Sequence, residues 1–386
     1  MEVYILDDQF RRTTVVGNFE SMVWSERYSS EGDFELVVHS TLKTRNLFTI
    51  DAKIAINESY RVMIVRTVTD AADTEGRSLL TIKGPSIEHI LTDRIARQAV
   101  ADLTTTPTWD ITDAPASIAR EIFRSICIAG DLDAGDVVPY YVAGNLFPAD
   151  TIAEPMDSIT QNIKPATVYK AIKDLCDIYD LGFRLYRGLD TSKLYFNIYT
   201  GNDRTTQQKV LPPVVFSPNL DNLAAVTKLT SAAKLKNVVY VFSKNGAAVV
   251  YATGVDSSVS GFNRRSMLVS SDNDDVAGTS LTTALELEGK EALTKNKSLS
   301  AFDGEIQENS SYKYGTDYQL GDLVEMRDSD GLTNNMRVTE QIFVSDAQGE
   351  RSYPTLTIDL FITPGSWLAW DFNNTWALAV GTWAEA

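Results

Sequence analysis

Cysteine and histidine are almost missing from this 386-residue chain, which has two of each: Cys127 and Cys176, His39 and His89. Two thiols are too few for a disulfide framework or a zinc cluster, and they fit a chain that matures in reducing cytoplasm. Two imidazoles leave little material for histidine-based catalysis or a multi-histidine metal site. Basic residues are also short, 35 against 52 acidic ones, for a net charge of -17. That balance disfavours phosphate-backbone binding as the main activity, because counterion release needs Lys and Arg. No stretch offers the roughly 20 apolar residues of a spanning helix. The opening MEVYILDDQFRRTT lacks the basic and apolar regions of a secretory signal. Phosphate loop, nucleophile elbow and zinc-helix motifs are absent too, so the chain reads as a non-enzyme.

What is present is a globular composition, 44% hydrophobic and 23% charged, at a length that predicts two or three domains. Short β-rich runs at 2–6, 34–38, 52–56, 62–68 and 78–83 are separated by turn residues such as Asp7-Asp8 and Asn57-Glu58-Ser59. Residues 86–95 switch to helical spacing. Residues 102–113 read as loop. Residues 115–128 read as a helix, with Ile118, Ile122, Phe123 and Ile126 on one face, Pro115 in its first turn and Gly130 as its stop. The stretch 131–163 reads as an irregular connection. A second amphipathic helix spans 166–179, and a hairpin follows at 183–186 and 194–199. Strands at 237–243 and 247–251 meet at Asn245-Gly246, a strong hairpin signal. A strand at 264–270, a helix at 279–295 and strands at 299–307, 323–327, 336–343 and 355–361 complete the pattern.

The expected fold is therefore α+β and mainly β, with segments 1–98 and 211–362 strand-rich and 99–210 α+β between them. A tail, 363–386, holds Trp367, Trp370, Trp376 and Trp383, four of the six tryptophans. So many amphipathic rings call for burial, either on the chain's own core or as an arm docked on a partner. His39 and His89 read as structural, and Cys127 and Cys176 as small core hydrophobes. The acidic clusters Asp131/Asp133/Asp136 and Asp272/Asp274/Asp275 lack the twelve-residue calcium loop and read as solvated turns. Arg204, Arg264 and Arg265 are either intrachain partners of the abundant acids or intersubunit contacts that use the bidentate fork.

An ordered string of local features runs along residues 1–362. It includes Asn18-Phe19-Glu20-Ser21 with Trp24, Arg27-Tyr28, Gly32-Asp33-Phe34-Glu35-Leu36 and Gly84-Pro85-Ser86-Ile87-Glu88. Gly182-Phe183-Arg184-Leu185 and Tyr199-Thr200-Gly201-Asn202-Asp203-Arg204-Thr205 follow. Lys236-Asn237-Val238-Val239-Tyr240-Val241, Gly261 with Arg264-Arg265, and Tyr318-Gln319-Leu320-Gly321-Asp322-Leu323-Val324 close it. In this order the chain resembles the minor tail proteins of siphophages infecting actinobacteria, which form the tail-tip hub.

The resemblance implies a fold similar to the central hub of T-even baseplates, with two antiparallel β-barrel-like domains per chain and three chains in a ring. It implies a homotrimer that adapts the hexameric tail-tube end and its distal tail protein to threefold spikes, fibres or receptor-binding proteins. Genomic DNA would pass through the lumen unbound, and carboxylates facing it would repel phosphates. No cofactor, metal or stable membrane association is implied, and the location is the virion tail tip. The other reading is a tail-associated protein that binds or hydrolyses host cell-wall glycans.

Overall fold

The computed structural model describes residues 1–72, 76, 78–100, 108–142, 158–188, 193–271, 278–296, 299–305, 312–327 and 333–358. The chain divides into two compact units, 1–228 with 302–357, and 229–301 with 358–386.

In the first unit the strand Val3–Leu6 is buried along its whole length, and its alternation sends side chains into two cores. Val3 and Ile5 enter one, together with Ile54 and Ile56. Tyr4 and Leu6 enter the other, together with Ala55 and Ile64. The strand pairs antiparallel with Arg12–Val16 and Lys53–Ile56, and Met63–Ile64 completes a four-stranded sheet.

The Val3 core is shared with a larger sheet. In the first unit its order runs Gly349–Ile358, Thr333–Asp346, Ser21–Arg27, Asp33–His39, Ser78–Pro85, Thr67–Ala72. Met22, Trp24, Phe34, Leu36, Val38, Leu80, Ile82 and Phe343 fill this core. The long strand Thr333–Asp346 has two partners. Its first part pairs with Leu323–Arg327, Met336 opposite Val324, and its second with Ser21–Arg27, Phe343 opposite Trp24. Residues about 320 apart in sequence thus share one ladder and one core.

On the Tyr4 side lie two helices and a hairpin. The helix Pro115–Phe123 runs into a π turn, Arg124–Ala129, and stops at left-handed Gly130. The helix Val168–Tyr179 is capped by the Thr167 hydroxyl on the Lys170 N–H and ends at left-handed Asp180. The hairpin Gly182–Arg187 with Leu194–Tyr199 packs its apolar face here, and the Phe196 ring stacks on Phe123 at 4.0 Å between centroids.

The second unit has a three-stranded sheet. Val238–Ser243 lies between Gly246–Tyr251, antiparallel, and Ser266–Ser270, parallel. The helix Gly278–Lys295 covers one face through Leu281, Leu285 and Leu293 against Val239, Val241 and Val250.

The fold is mainly β, as expected, and its sheets are open: none closes on itself among the described residues. Uniform antiparallel pairing does not hold. Besides Ser266–Ser270, Val215–Phe216 runs parallel to Leu323–Arg327, and Tyr141–Val142 parallel to Leu194–Tyr199. Long connections supply the crossovers that parallel neighbours need. Other readings change locally. Residues 86–95 form a 3-10 turn, Ile87–Asp93, rather than an α-helix. The run 62–68 is broken into Met63–Ile64 and the start of Thr67–Ala72. Trp109–Asp113, read as loop, pairs with Ile159–Ile163 inside the supposed irregular connection. One face of that ladder pairs Asn162 with Asp110 at 2.7 Å and Thr112 with Thr160 at 2.8 Å, while Trp109, Ile111, Ile159 and Ile163 on the other pack on the Tyr4 core, an alternation too short to stand out in the sequence. Among the described residues no helix is long and apolar enough to cross a membrane.

Candidate functional site: a junction of distant motifs

Tyr28 ends the run after Ser21–Arg27 and is buried between two glycines. A Cβ on Gly182 or on Gly321 would run into its ring. Its hydroxyl donates to the Asp180 carbonyl at 3.0 Å and to the Tyr199 carbonyl at 3.3 Å, and the Tyr199 ring meets it edge-on. Burial pushes the Tyr28 phenol well above its ordinary pKa, so it stays a neutral donor. Gly321 has φ +90, where a side chain is strained, and Gly201 lies against it so closely that a Cβ would overlap the Gly321 carbonyl.

Asp322 follows directly and is fully buried. Its carboxylate accepts from the Asn202 N–H at 2.7 Å, from the Gln319 N–H at 3.1 Å and from Arg204 Nε at 3.4 Å. Leu323 N donates to the Asn202 carbonyl and Arg204 N to the Leu323 carbonyl, which clamps the two segments backbone to backbone. Burial raises the Asp322 pKa, and these donors offset it only in part. The folded state therefore holds this proton more tightly than the unfolded state. The carboxyl's contribution to stability is complete below the ordinary aspartate pKa and is lost as pH rises through the raised folded value. In urea titrations the advantage of the wild type over Asp322→Asn should shrink as pH rises across that window. A constant or growing advantage would contradict this account.

Beside this clamp lies a buried ionic pair. Arg61 donates to Glu88, whose Oε1 also accepts from the Leu185 N–H at 2.8 Å, while Arg61 Nη2 reaches the Arg27 carbonyl at 3.0 Å. Burial works against the Arg61 charge, but the Glu88 carboxylate outweighs it and holds the guanidinium above its ordinary pKa. Glu88 Oε2 is buried without a hydrogen-bond partner. Glu26, also buried, accepts from Trp24 Nε1 at 3.0 Å, from Ser59 and from the Tyr314 hydroxyl at 3.3 Å. A cavity of about 410 Å³ opens among Glu26, Arg61, Arg184, Asn202, Arg204 and Tyr318. The carboxylates here bind backbone amides, hydroxyls and guanidinium groups. That chemistry ties strands together and offers no paired nucleophile and base.

The residues singled out from sequence fall in several places. Arg204 lies in this junction on Asp322. Arg264 donates to the Tyr240 hydroxyl at 2.7 Å and the Val259 carbonyl at 3.1 Å, and Arg265 to the Ala232 carbonyl at 3.1 Å. His39 sits on Glu20 and His89 on Glu31, both at 2.8 Å. Cys127 and Cys176 are buried free thiols, and burial pushes Cys127 up to about 12 and Cys176 still further from reactivity. Asp131 accepts from Ser125, Asp133 caps the Gly135 N–H and Asp136 faces Arg94. Among the described residues no three acids, histidines or cysteines are grouped to hold a metal. Asp272, Asp274 and Asp275 lie outside the described residues, as do Trp367, Trp370, Trp376 and Trp383.

Sequence reasoning quoted Tyr28, Gly182, Gly201, Arg204, Gly321 and Asp322 as separate pieces of one pattern, and the fold brings them together. It missed the Arg61–Glu88 pair. The available signal was an acid, Glu88, placed beside Ile87 and three residues before Leu91, on the row that turns inward.

A backbone of this kind is found in solved phage tail proteins. A tail protein from Neisseria meningitidis superposes with a TM-score of 0.56 at 12% identity, covering 93% of this chain and 96% of that one. The 43 kDa tail protein of prophage MuSo2 from Shewanella oneidensis gives 0.54 at 12% identity over 92% and 98%. The prophage tail protein gp18 from Listeria monocytogenes gives 0.50 at 13% identity over 96% and 97%. At such identities the likeness establishes the fold. The sequence itself places the chain more narrowly: residues 2–356 match the family described as Siphovirus ReqiPepy6 Gp37-like protein, and the chain belongs to that family of phage tail proteins. No sequence among the curated proteins matches it.

Proposed function

We propose that this tail protein is the hub of the tail tip, a homotrimeric ring that joins the hexameric end of the tail tube and its distal tail protein to threefold spike, fibre or receptor-binding components. Strands from segments 1–98 and 211–362 build the ring wall, and the α+β segment 99–210 flanks it. The DNA exit channel runs through the ring, and the excess of 52 acids over 35 bases keeps the genome from adhering to it. The protein works as a structural part and carries no catalysis.

The observation that carries this reading is the junction. Its buried charges and close-packed glycines are spent on locking together segments from residue 26 to residue 322, as a rigid load-transmitting part requires. Arg264 and Arg265, near the open sheet of the second unit, are assigned to the contact between neighbouring chains.

Light scattering on the purified chain, alone and with its neighbouring tail proteins, should find three copies per particle. Double-stranded DNA should not be retained even at low salt, where phosphate contacts are strongest. A monomer under both conditions, or tight DNA binding, would overturn the reading.

A further inference from the structure

Among the described residues, the three-stranded sheet of the second unit is covered on one side only. Its pairing register sets Leu268, Tyr240 and Val249 side by side across the three strands, with Phe242 one step along. These side chains are 68%, 39%, 45% and 41% exposed, while the next residues on each strand, Met267, Val239, Val241 and Val250, pack under the helix Gly278–Lys295. The bare face is thus a continuous apolar row. A contiguous exposed apolar patch rimmed by polar residues marks a surface on which something docks. Something therefore belongs on this face.

We propose that the occupant is the chain's own tryptophan-rich C-terminal segment, residues 363–386, laid across Leu268, Tyr240, Val249 and Phe242. The last described strand ends at Ile358, and 28 residues follow it in the sequence. At about 3.3 Å per extended residue that length far exceeds a face three strands wide at about 4.8 Å spacing. Its composition suits the face. Trp376, Leu378 and Val380 alternate with Ala377, Ala379 and Gly381, a period-two apolar stripe. Charge agrees as well. Residues 359–386 contain Asp359, Asp371 and Glu385 and no Lys or Arg, whereas Arg264 stands beside the Tyr240 ring on the bare face. Tryptophan over a half-exposed strand row that carries Tyr240 and Phe242 gains both area burial and ring contacts.

The inference is independent of the hub reading, and its test separates the two. Amide exchange on the full chain and on a chain ending at residue 362 should show residues 238–251 exchanging at least about tenfold faster without the tail, with a matching rise in binding of an apolar dye. Adding a synthetic 363–386 peptide should restore protection. Should the truncated chain fail to fold, Leu268→Asp in the full chain serves instead. Acrylamide should then quench the tail tryptophans more strongly than in the wild type. Protection must be independent of protein concentration, and light scattering on the same samples reports the trimer separately. Unchanged exchange after truncation, protection that disappears on dilution, or tryptophans shielded only when another tail protein is added would each overturn the proposal.

Discussion

Glu88→Ala should lower the free energy of unfolding by about 3–5 kcal/mol, the usual cost of leaving one buried charge without its partner. Arg61 is buried in the same place and would keep its charge with the Arg27 carbonyl and the Glu26 carboxylate as weaker compensation. The Leu185 amide would also lose its acceptor, adding about 1–3 kcal/mol if no water replaces it. Urea unfolding followed by tryptophan fluorescence measures the total, since Trp24 lies within the adjoining core. The control is the double replacement Arg61→Met with Glu88→Leu. Removing both charges together should recover most of the loss, because well-packed apolar groups often equal a buried ion pair. A single variant as stable as the wild type would show that the pair is dispensable.

Gly201→Ala is the second large effect, expected to cost about 3 kcal/mol or to prevent folding. Overpacking usually costs about 1–3 kcal/mol, when side chains can move aside. Here the added methyl would meet the Gly321 carbonyl and the Asp322 amide, which are backbone atoms held by hydrogen bonds on both sides. Gly17→Ala is the matched control. A Cβ at that position meets nothing within 4 Å, so its stability should stay within about 0.5 kcal/mol. Equal effects at the two sites would remove the argument that the junction is a close-packed clamp.

Both effects fall on residues of the ordered string read along residues 1–362. On the proposed hub reading, a part that joins two assemblies gains from few internal degrees of freedom. Four chain segments meeting at Tyr28, Gly182, Gly201 and Gly321 leave little room for relative motion within that unit. The Tyr28 hydroxyl bridges two carbonyls and the Asp322 carboxylate two amides, so each removal releases several contacts at once.

Much of the local structure was written in the order of residues. Asn245-Gly246 set the hairpin Val238–Ser243 with Gly246–Tyr251, and the apolar spacing of Ile118, Ile122, Val168, Ile172 and Leu175 set the two packed helices. The mainly β class also followed from residue types and their spacing. These features depend on neighbours within about ten residues, whose preferences survive in any context.

Tertiary structure alone decided the rest. Ser21–Arg27 hides as a strand because buried Ser25 and Glu26 break its alternation, and it becomes one by pairing with Thr333–Asp346. The ladder of Trp109–Asp113 with Ile159–Ile163 exists only because its partner arrives from 50 residues away. Glu88 turns from one acid among 52 into a structural anchor because folding carries Arg61 and the Leu185 amide to it. Such contacts join residues far apart in the chain, and no local pattern records them, since their free energy appears only when the distant partner has been brought within hydrogen-bond reach.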